Sequence, residues 1–287
     1  STFSHYWEDF KDNGIHIEFP ENNLSLNINS DISVDGGHIN DDNNMADAFP
    51  DLDGGEIEFR QLDVILSGKY RDHVEFKMVI DFANVKTIKD NWILFKKIPF
   101  LKNLKLGHMK EPFSLEGLTS AKAITFMERS LPHQAFSPGR NIGVSIFDTA
   151  MKEQMTWTVG IFWITGSYSS VGDSSSQLSE SAGMSLSSRL TYLPLYKDDG
   201  RRLFHLGLSL DYQHRDEDSS QAQIQYRSRP ETRLTDLRLV DTNEFKADSA
   251  SLICTEFAVV NGQHSWQGEY FHAITDSGEE GDPDFWG

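Results

Sequence analysis

Hydrophobic and polar residues alternate along much of this chain. The clearest stretch is residues 203–215, where every second residue from Phe204 to Tyr212 is apolar and the residues between them are His, Gly, Ser and Asp. The same alternation runs through residues 24–34, 74–82 and 184–192. Because successive side chains of a strand point to opposite faces, these segments are predicted to be β-strands with one apolar and one polar face.

Weaker patterns extend this all-β prediction to most of the chain. Further strands are expected near residues 55–69, 103–109, 141–147, 154–165, 246–260 and 265–272. Tight turns are expected at residues 68–72 and 197–202, and longer polar connectors at residues 35–54, 167–182 and 216–244. In the strand expected at residues 55–69, the apolar residues change from odd-numbered to even-numbered positions. This change predicts a β-bulge near Gln61. The one predicted helix covers residues 114–122, with Ser114 as its N-cap.

A membrane β-barrel and a soluble β-sandwich both produce this alternation. Three features favour the barrel: strands of about ten residues, short turns that alternate with long loops, and aromatic residues near strand ends. The aromatic residues are Tyr70, Phe82, Tyr192 and Tyr212. Because the signal of each strand is weak, the pattern alone leaves both architectures open.

Composition narrows the functional classes. The chain has 287 residues, a net charge of −18 and a single cysteine, Cys254. The negative charge argues against nucleic-acid binding, which needs a basic surface. No stretch approaches the roughly 18 apolar residues of a spanning helix. No zinc-type cysteine cluster and no hydrolase, metalloprotease or P-loop motif occurs, so neither an enzyme nor a cofactor is expected.

A run in the middle of the chain resembles a known family. Residues 106–143 contain KEPFSLEGLTSAK at 110–122, ITFMERSLP at 124–132 and AFSPGRNIG at 135–143. These runs closely resemble the phosphate-selective porin O/P family of bacterial outer membranes. SRLTYLP at 188–194, HLGLS at 205–209, YRSRPE at 226–231 and VDT at 240–242 support the resemblance in the same order.

The resemblance implies a fold and a function. It implies an antiparallel transmembrane β-barrel of about sixteen strands, in the outer membrane of a Gram-negative bacterium and assembled as a homotrimer. Residues 113–137 would be a constriction loop that folds into the lumen. Arginine and lysine side chains would line the pore and pass phosphate or related small anions, with membrane lipid and lipopolysaccharide around the barrel.

Two features depart from the family pattern. About ten to eleven strands are predicted for residues 1–287, which is fewer than the family barrel needs. We therefore expect a single barrel domain that lacks its C-terminal strands, with residues 282–287 approaching another strand. The net charge of −18 is the second departure, because an anion pore of acidic overall charge requires a basic lumen.

The basic residues of the loop region are the first candidates for the pore lining. Lys122 lies within the family's constriction motif, and Lys110, Arg129 and Arg140 flank the same loop. Lysine offers a mobile point charge and arginine binds phosphate through two parallel hydrogen bonds. The alternative for Arg129 is that it pairs with Glu128 or Glu116 and only pins the loop.

Three further arginines lie on the polar faces of predicted strands: Arg60, Arg189 and Arg215. In a barrel these side chains face the lumen, because a charge facing lipid costs about 2–4 kcal/mol. Nearby carboxylates, with Glu58, Glu75 and Asp211 as candidates, could neutralise them. The acidic segment 41–56 lacks the spacing of a calcium loop, so a solvated loop is expected there and no metal site.

The sequence therefore predicts an outer-membrane channel for small anions. The alternative within the same fold is a structural or interaction barrel, whose long acidic loops bind a surface partner and which has little or no anion selectivity. A soluble β-sandwich is the remaining alternative, and it would stay in solution without detergent.

Overall fold

The computed structural model describes residues 14–39, 54–83, 87–165, 181–216, 223–235, 237–277 and 282–287. The chain is almost entirely β, and thirteen of its strands belong to one large antiparallel sheet. Contacts divide it into two compact units, the first made of Ser1–Met109 with Arg233–Leu237 and the second of Lys110–Thr232 with Arg238–Gly287. The all-β antiparallel prediction is confirmed.

The first unit is a meander of six strands joined by short connections on one side. The strands are β1 (Ile15–Phe19), β2 (Leu24–Ile39), β3 (Gly54–Tyr70), β4 (Val74–Asp81), β5 (Thr87–Ile98) and β6 (Lys102–Lys110). The longest pairing joins β2 to β3, from Leu24 opposite Tyr70 to Ile39 opposite Gly54. The segment 233–237 packs here, since Leu234 is buried and lies directly against Gly37.

The second unit contains seven strands of the large sheet and two short helices. The strands are β7 (Arg140–Ala150), β8 (Met155–Thr165), β9 (Ser181–Lys197), β10 (Arg202–Arg215), β15 (Ser249–Asn261), β16 (His264–Asp276) and β17 (Asp284–Trp286). Four two-residue strands, β11 (Gln223–Ile224), β12 (Arg227–Ser228), β13 (Val240–Asp241) and β14 (Phe245–Lys246), form two separate pairs. The helices are α1 (Leu115–Leu118) and α2 (Leu131–Phe136). In the described part of the chain, no helix has the length and apolar character needed to cross a membrane.

Burial in the strands is inverted relative to a soluble protein. In β10 the polar residues at alternate positions from Ser209 to Arg215 are at most 2% exposed, whereas the apolar residues from Leu206 to Tyr212 are 40–49% exposed. β2 follows the same rule, with Ile32 65% and Val34 52% exposed. A sandwich would bury these apolar side chains between two sheets, so the sandwich alternative is not supported.

Ten of the thirteen strands were predictable from alternation, and three were missed. β5 carries the continuous apolar run from Trp92 to Phe95, which hides its period of two. β1 and β17 have only five and three residues, too few for a pattern to stand out. The predicted count of ten to eleven strands was therefore too low.

Local predictions held in part. The bulge expected near Gln61 is confirmed at the adjacent residue, because the partner of Ser33 is Gln61 and the partner of Val34 is Phe59, so that Arg60 is the extra residue. The turn expected at residues 197–202 is confirmed, and Asp198, Asp199 and Gly200 within it all have positive φ. The predicted helix start at Ser114 is correct, but α1 ends at Leu118 and not at Lys122.

α1 ends at a residue that closes its last turn. The hydroxyl and the backbone N–H of Thr119 both donate to the carbonyl oxygen of Leu115, at 2.7 Å and 2.9 Å. Thr119 itself is already extended, with φ −65° and ψ 135°. The second helix, α2, was not predicted, although Pro132 near its N-terminus is a typical start signal.

Candidate pore constriction

Residues 111–139, between β6 and β7, fold back onto the polar face of the second unit; we call them the first inserted segment. At its beginning, Glu111 is only 2% exposed. Its carboxylate accepts hydrogen bonds from Asn141 Nδ2 at 2.7 Å and from Ser185 Oγ at 2.8 Å. Burial, and then the neighbouring Asp211 carboxylate, raise the pKa of Glu111 well above its usual range.

Helix α1 is fixed to the strands from two sides. Ser114, its N-cap, accepts a hydrogen bond from Gly117 N at 3.0 Å, and the Ser114 N–H donates to Ser209 Oγ on β10 at 3.3 Å. The carboxylate of Glu269 on β16 accepts from Leu115 N at 2.6 Å and from Glu116 N at 3.1 Å. A helix of four residues has no internal partner for its first N–H groups, and these contacts supply the acceptors.

In the middle of the first inserted segment, Glu116 is hydrogen-bonded to residues that lie further along the segment. Its carboxylate accepts from the backbone N–H of Ser130 at 3.1 Å and from the Ser130 hydroxyl at 2.7 Å. Arg129, which is 8% exposed, donates from Nε to the carbonyl oxygen of Glu116 at 3.1 Å and from Nη2 to that of Thr119 at 2.9 Å. The geometry therefore gives Arg129 the pinning contacts foreseen in the alternative, through backbone carbonyls.

Helix α2 carries a buried histidine that sequence reasoning missed. His133 is fully buried, and its Nδ1 lies 3.2 Å from Ser114 Oγ. Burial, followed by the positive charges of Arg129 and Lys110, lowers the pKa of His133 well below its usual range. His133 is therefore neutral at pH 7 and packs α2 against the start of α1.

Residues 223–232 and 238–248, between β10 and β15, form a second inserted segment that also turns inward. A polar connector was expected over most of this range, but Ile224 is fully buried and Tyr226 is 2% exposed. The Tyr226 ring lies 5.2 Å from the ring of Phe136 and 5.0 Å from that of Phe285, as measured between centroids. Burial raises the pKa of the Tyr226 hydroxyl. The missed signal is that Ile224 and Tyr226 interrupt the otherwise polar run of residues 216–231.

The polar face is not uniformly polar beneath these two segments. Leu252 and Cys254 on β15, with Phe271 and Ala273 on β16, are at most 1% exposed and pack against Phe113 and Phe136. The ring centroids of Phe113 and Phe271 are 6.1 Å apart. The inserted segments thus bury an apolar patch that would otherwise face water, and this burial holds them on the sheet.

The structure places the loop candidates in different environments. Lys110 is half-buried at the end of β6, and its Nζ donates to the carbonyl oxygen of Gly117. Lys122 is exposed, beyond the end of α1. Arg140 is half-buried as the first residue of β7. Lys110 and Arg129 therefore both reach the α1 region, and a role in ion passage stays a prediction for all four residues.

The three strand arginines all lie on the polar face, as predicted. Arg60 donates to Asp35 at 2.8 Å in the first unit, and Arg189 forms an ion pair with Glu256 in the second. Arg215 is fully buried and donates from Nη2 to Gln213 Oε1 at 3.1 Å. Carboxylates thus pair directly with Arg60 and Arg189, and the charge of Arg215 acts on the Asp211 carboxylate.

Of the expected carboxylate partners, Asp211 interacts electrostatically with Arg215, whereas Arg60 and Arg189 pair with carboxylates that were not expected. Asp35 and Glu256 lie 25 and 67 residues from their arginines in sequence, so strand register and not sequence distance decides the pairs. Glu75, one of the expected partners, binds Lys96 Nζ at 2.6 Å instead. Lys89 shows the same principle, because its Nζ lies 2.8 Å from carboxylate oxygens of both Asp63 and Asp81.

Three side chains in the second unit have the donor types of a metal site: Cys254, Glu256 and Glu269, whose ligand atoms lie within 4.8 Å of one another. Both carboxylates already have protein partners. Glu269 binds the N–H groups of α1, and Glu256 binds Arg189 and His205, the latter at 2.7 Å. The geometry therefore supports a structural role for this cluster.

An antiparallel sheet with an exposed apolar face and a buried polar face, onto which inserted segments fold, is typical of an outer-membrane protein built from strands. The family model described as "Phosphate-selective porin O and P" matches residues 28–285, and the chain belongs to this family. It is thus an outer-membrane porin, which confirms the predicted family and location.

Comparison with individual proteins adds little to this assignment. No curated protein matches the chain. Among solved structures, it is similar to the crystal structure of Pseudomonas aeruginosa OccK2 (OpdF) in complex with glucuronate, at 11% sequence identity and a TM-score of 0.32. The match covers 88% of this chain and 59% of that chain, so this chain spans less than two thirds of the OccK2 length.

Proposed function

We propose that this porin lets small anions, phosphate or related oxyanions, diffuse across the outer membrane, and that residues 113–137 are its constriction. The observation that carries the proposal is that the first inserted segment, which folds onto the polar face, presents the exposed side chain of Lys122. In the same segment, the carboxylate of Glu116 accepts from Ser130, and that of Glu128 accepts from the backbone N–H of Arg129 at 2.9 Å. These uncharged donors orient both carboxylates.

Basic side chains lie in the same segment or directly beside it. Lys122 is exposed on it, and Arg129 and Lys110 are oriented by bonds to backbone carbonyl oxygens. A bond to a carbonyl oxygen fixes a cation without adding a negative charge beside it. An exposed lysine on a flexible stem attracts an anion without trapping it, which suits a conducting pore.

The strand cations support only a modest selectivity. Arg60, Lys89 and Arg189 each form ion pairs with carboxylates on the polar face. Such pairs give a solute on the polar face little net positive charge to interact with. We therefore assign the discrimination between anions and cations to the first inserted segment, and Lys122 is its central residue.

Charge reversal at Lys122 tests the proposal. Purified porin in a planar bilayer under a tenfold KCl gradient should show a reversal potential that favours chloride. Lys122→Glu should lower the anion-to-cation permeability ratio by more than about fivefold, since it changes the charge by two units and each unit contributes about 1 kcal/mol at 4 Å in water.

The matched control is Lys152→Glu, which makes the same charge change at an exposed residue of the β7–β8 turn. The control should keep the wild-type reversal potential. Cation preference in the wild type, or equal shifts in both variants, would reject the proposed anion selectivity.

Chemical cross-linking of the purified porin in detergent tests the homotrimer that the family resemblance implies, and a monomer band alone would exclude it. Co-purifying lipopolysaccharide would support the proposed lipid contact.

A further inference from the structure

One carboxylate of the sheet reaches directly into the first inserted segment. Glu269 lies on the polar face of β16 and accepts hydrogen bonds from two successive backbone N–H groups, Leu115 N at 2.6 Å and Glu116 N at 3.1 Å. The Cys254 thiol lies 3.6 Å from the same carboxylate. Glu269 therefore binds the start of α1 from outside the segment.

A second carboxylate occupies the facing position and does something different. Glu256 on β15 is the cross-strand partner of Glu269. It binds Arg189 and His205, which both belong to strands. The two glutamates thus lie at the same level of the sheet and carry the same charge, but only the contacts of Glu269 reach the first inserted segment.

Glu116 connects Glu269 to other residues of the first inserted segment. Glu116 donates its N–H to Glu269, accepts from Arg129 Nε at its carbonyl oxygen, and binds Ser130 through its side chain. A shift of Glu116 away from β16 would therefore move Arg129 and Ser130 with it. Charge-assisted bonds to a carboxylate are strong and directional enough to prevent such a shift.

We propose that Glu269 is a positioning residue, which sets how far the first inserted segment extends from the sheet and so the width left for a permeating solute. The inference rests on the proposed function, because it treats this segment as the constriction. A carboxylate suits the role because each of its oxygens accepts from a different N–H group. The side-chain amide of Gln would offer one oxygen and turn an NH₂ group towards a donor.

The experiment compares two variants with matched charge changes, Glu269→Gln and Glu256→Gln. Two readouts are used: single-channel current in a planar bilayer, and hydrogen exchange of the backbone amides in residues 113–119. Glu269→Gln should speed exchange of these amides by at least tenfold and increase open-channel current noise. Glu256→Gln should leave the exchange at the wild-type rate, although it changes the local charge equally.

A second pair of variants removes the contact from the other side without changing any charge. Leu115→Pro deletes the N–H that Glu269 binds, and proline is well tolerated at the first helical position. Leu115→Ala keeps that N–H and removes most of the side chain. Leu115→Pro should reproduce the exchange and noise of Glu269→Gln, and Leu115→Ala should not. Heat-modifiable migration on gels confirms that each variant is folded.

Equal exchange rates in Glu269→Gln and Glu256→Gln would overturn the positioning role, and so would a noiseless current in both Glu269→Gln and Leu115→Pro. Failure of the proposed function has a different signature. In that case the wild type shows no conductance or no anion preference, while hydrogen exchange still reports whether Glu269 holds the segment.

Discussion

At the residue scale, the ion pair between Arg189 and Glu256 depends on a residue that has no side chain. β10 lies between the strands of the two partners, and Gly207 on β10 is directly opposite Glu256. A Cβ atom at Gly207 would lie 2.3 Å from Glu256 Oε1. The glycine therefore leaves the space through which the Glu256 carboxylate crosses β10 to reach Arg189.

Filling that space should break the ion pair. Gly207→Val is expected to displace the Glu256 carboxylate and to lower the free energy of unfolding by about 3 kcal/mol, since breaking a buried pair leaves its charges uncompensated. Urea unfolding of the porin in detergent measures the change. In a Glu256→Ala background the valine should cost much less, because no carboxylate remains to be displaced. Additive losses in the double variant would contradict this account.

At the element scale, the sequence predicts strands well and inserted segments poorly, for a physical reason. Polar and apolar residues alternate along each strand because its two faces meet different environments, as in β10. The inward course of the second inserted segment depends instead on the contacts of Tyr226 with Phe136 and Phe285, which are distant in sequence. The anchoring of α1 by Glu269 likewise crosses 154 residues, and no local pattern encodes it.

The first inserted segment should also loosen in acid because of His133. Its lowered pKa means that the unfolded segment binds a proton more readily than the folded one. The contribution of His133 to segment stability is then fully present above its ordinary pKa of about 6.5 and falls by up to about 1.4 kcal/mol per pH unit below it. Hydrogen-exchange protection of residues 131–136, corrected for intrinsic rates at pH 7 and pH 5, measures this loss.

The control for this prediction is His133→Gln, which cannot titrate in this range and should lose little protection between the two pH values. Glu111 acts with the opposite sign, because its raised pKa favours the folded segment as the pH falls. A segment that becomes more protected at pH 5 would therefore show that Glu111 dominates, and the assignment to His133 would be wrong.

At the scale of the whole molecule, the net charge of −18 and the exposed apolar face come from different parts of the chain. The alternating apolar residues of β10 and β2 are exposed in the protein alone and match a hydrocarbon environment. Part of the acidic excess lies in segment 41–56, which falls largely outside the described residues. Alternation was sufficient to predict which face is apolar, but the family was needed to say that lipid covers it.

Lipid contact makes a depth-dependent prediction for arginine substitutions on the apolar face. Leu208, 41% exposed in the middle of β10, should lie deep in the hydrocarbon, so Leu208→Arg should cost about 2–4 kcal/mol in vesicles. Tyr196, 55% exposed beside the end of β9, lies next to a turn, where the same substitution should cost about 0–1 kcal/mol. Reversible urea unfolding in phospholipid vesicles measures both free energies. Equal costs at the two positions would mean that the exposed apolar face of this porin does not span a bilayer. On a surface covered by water or by protein, the cost of arginine would not depend on the distance from the strand centre.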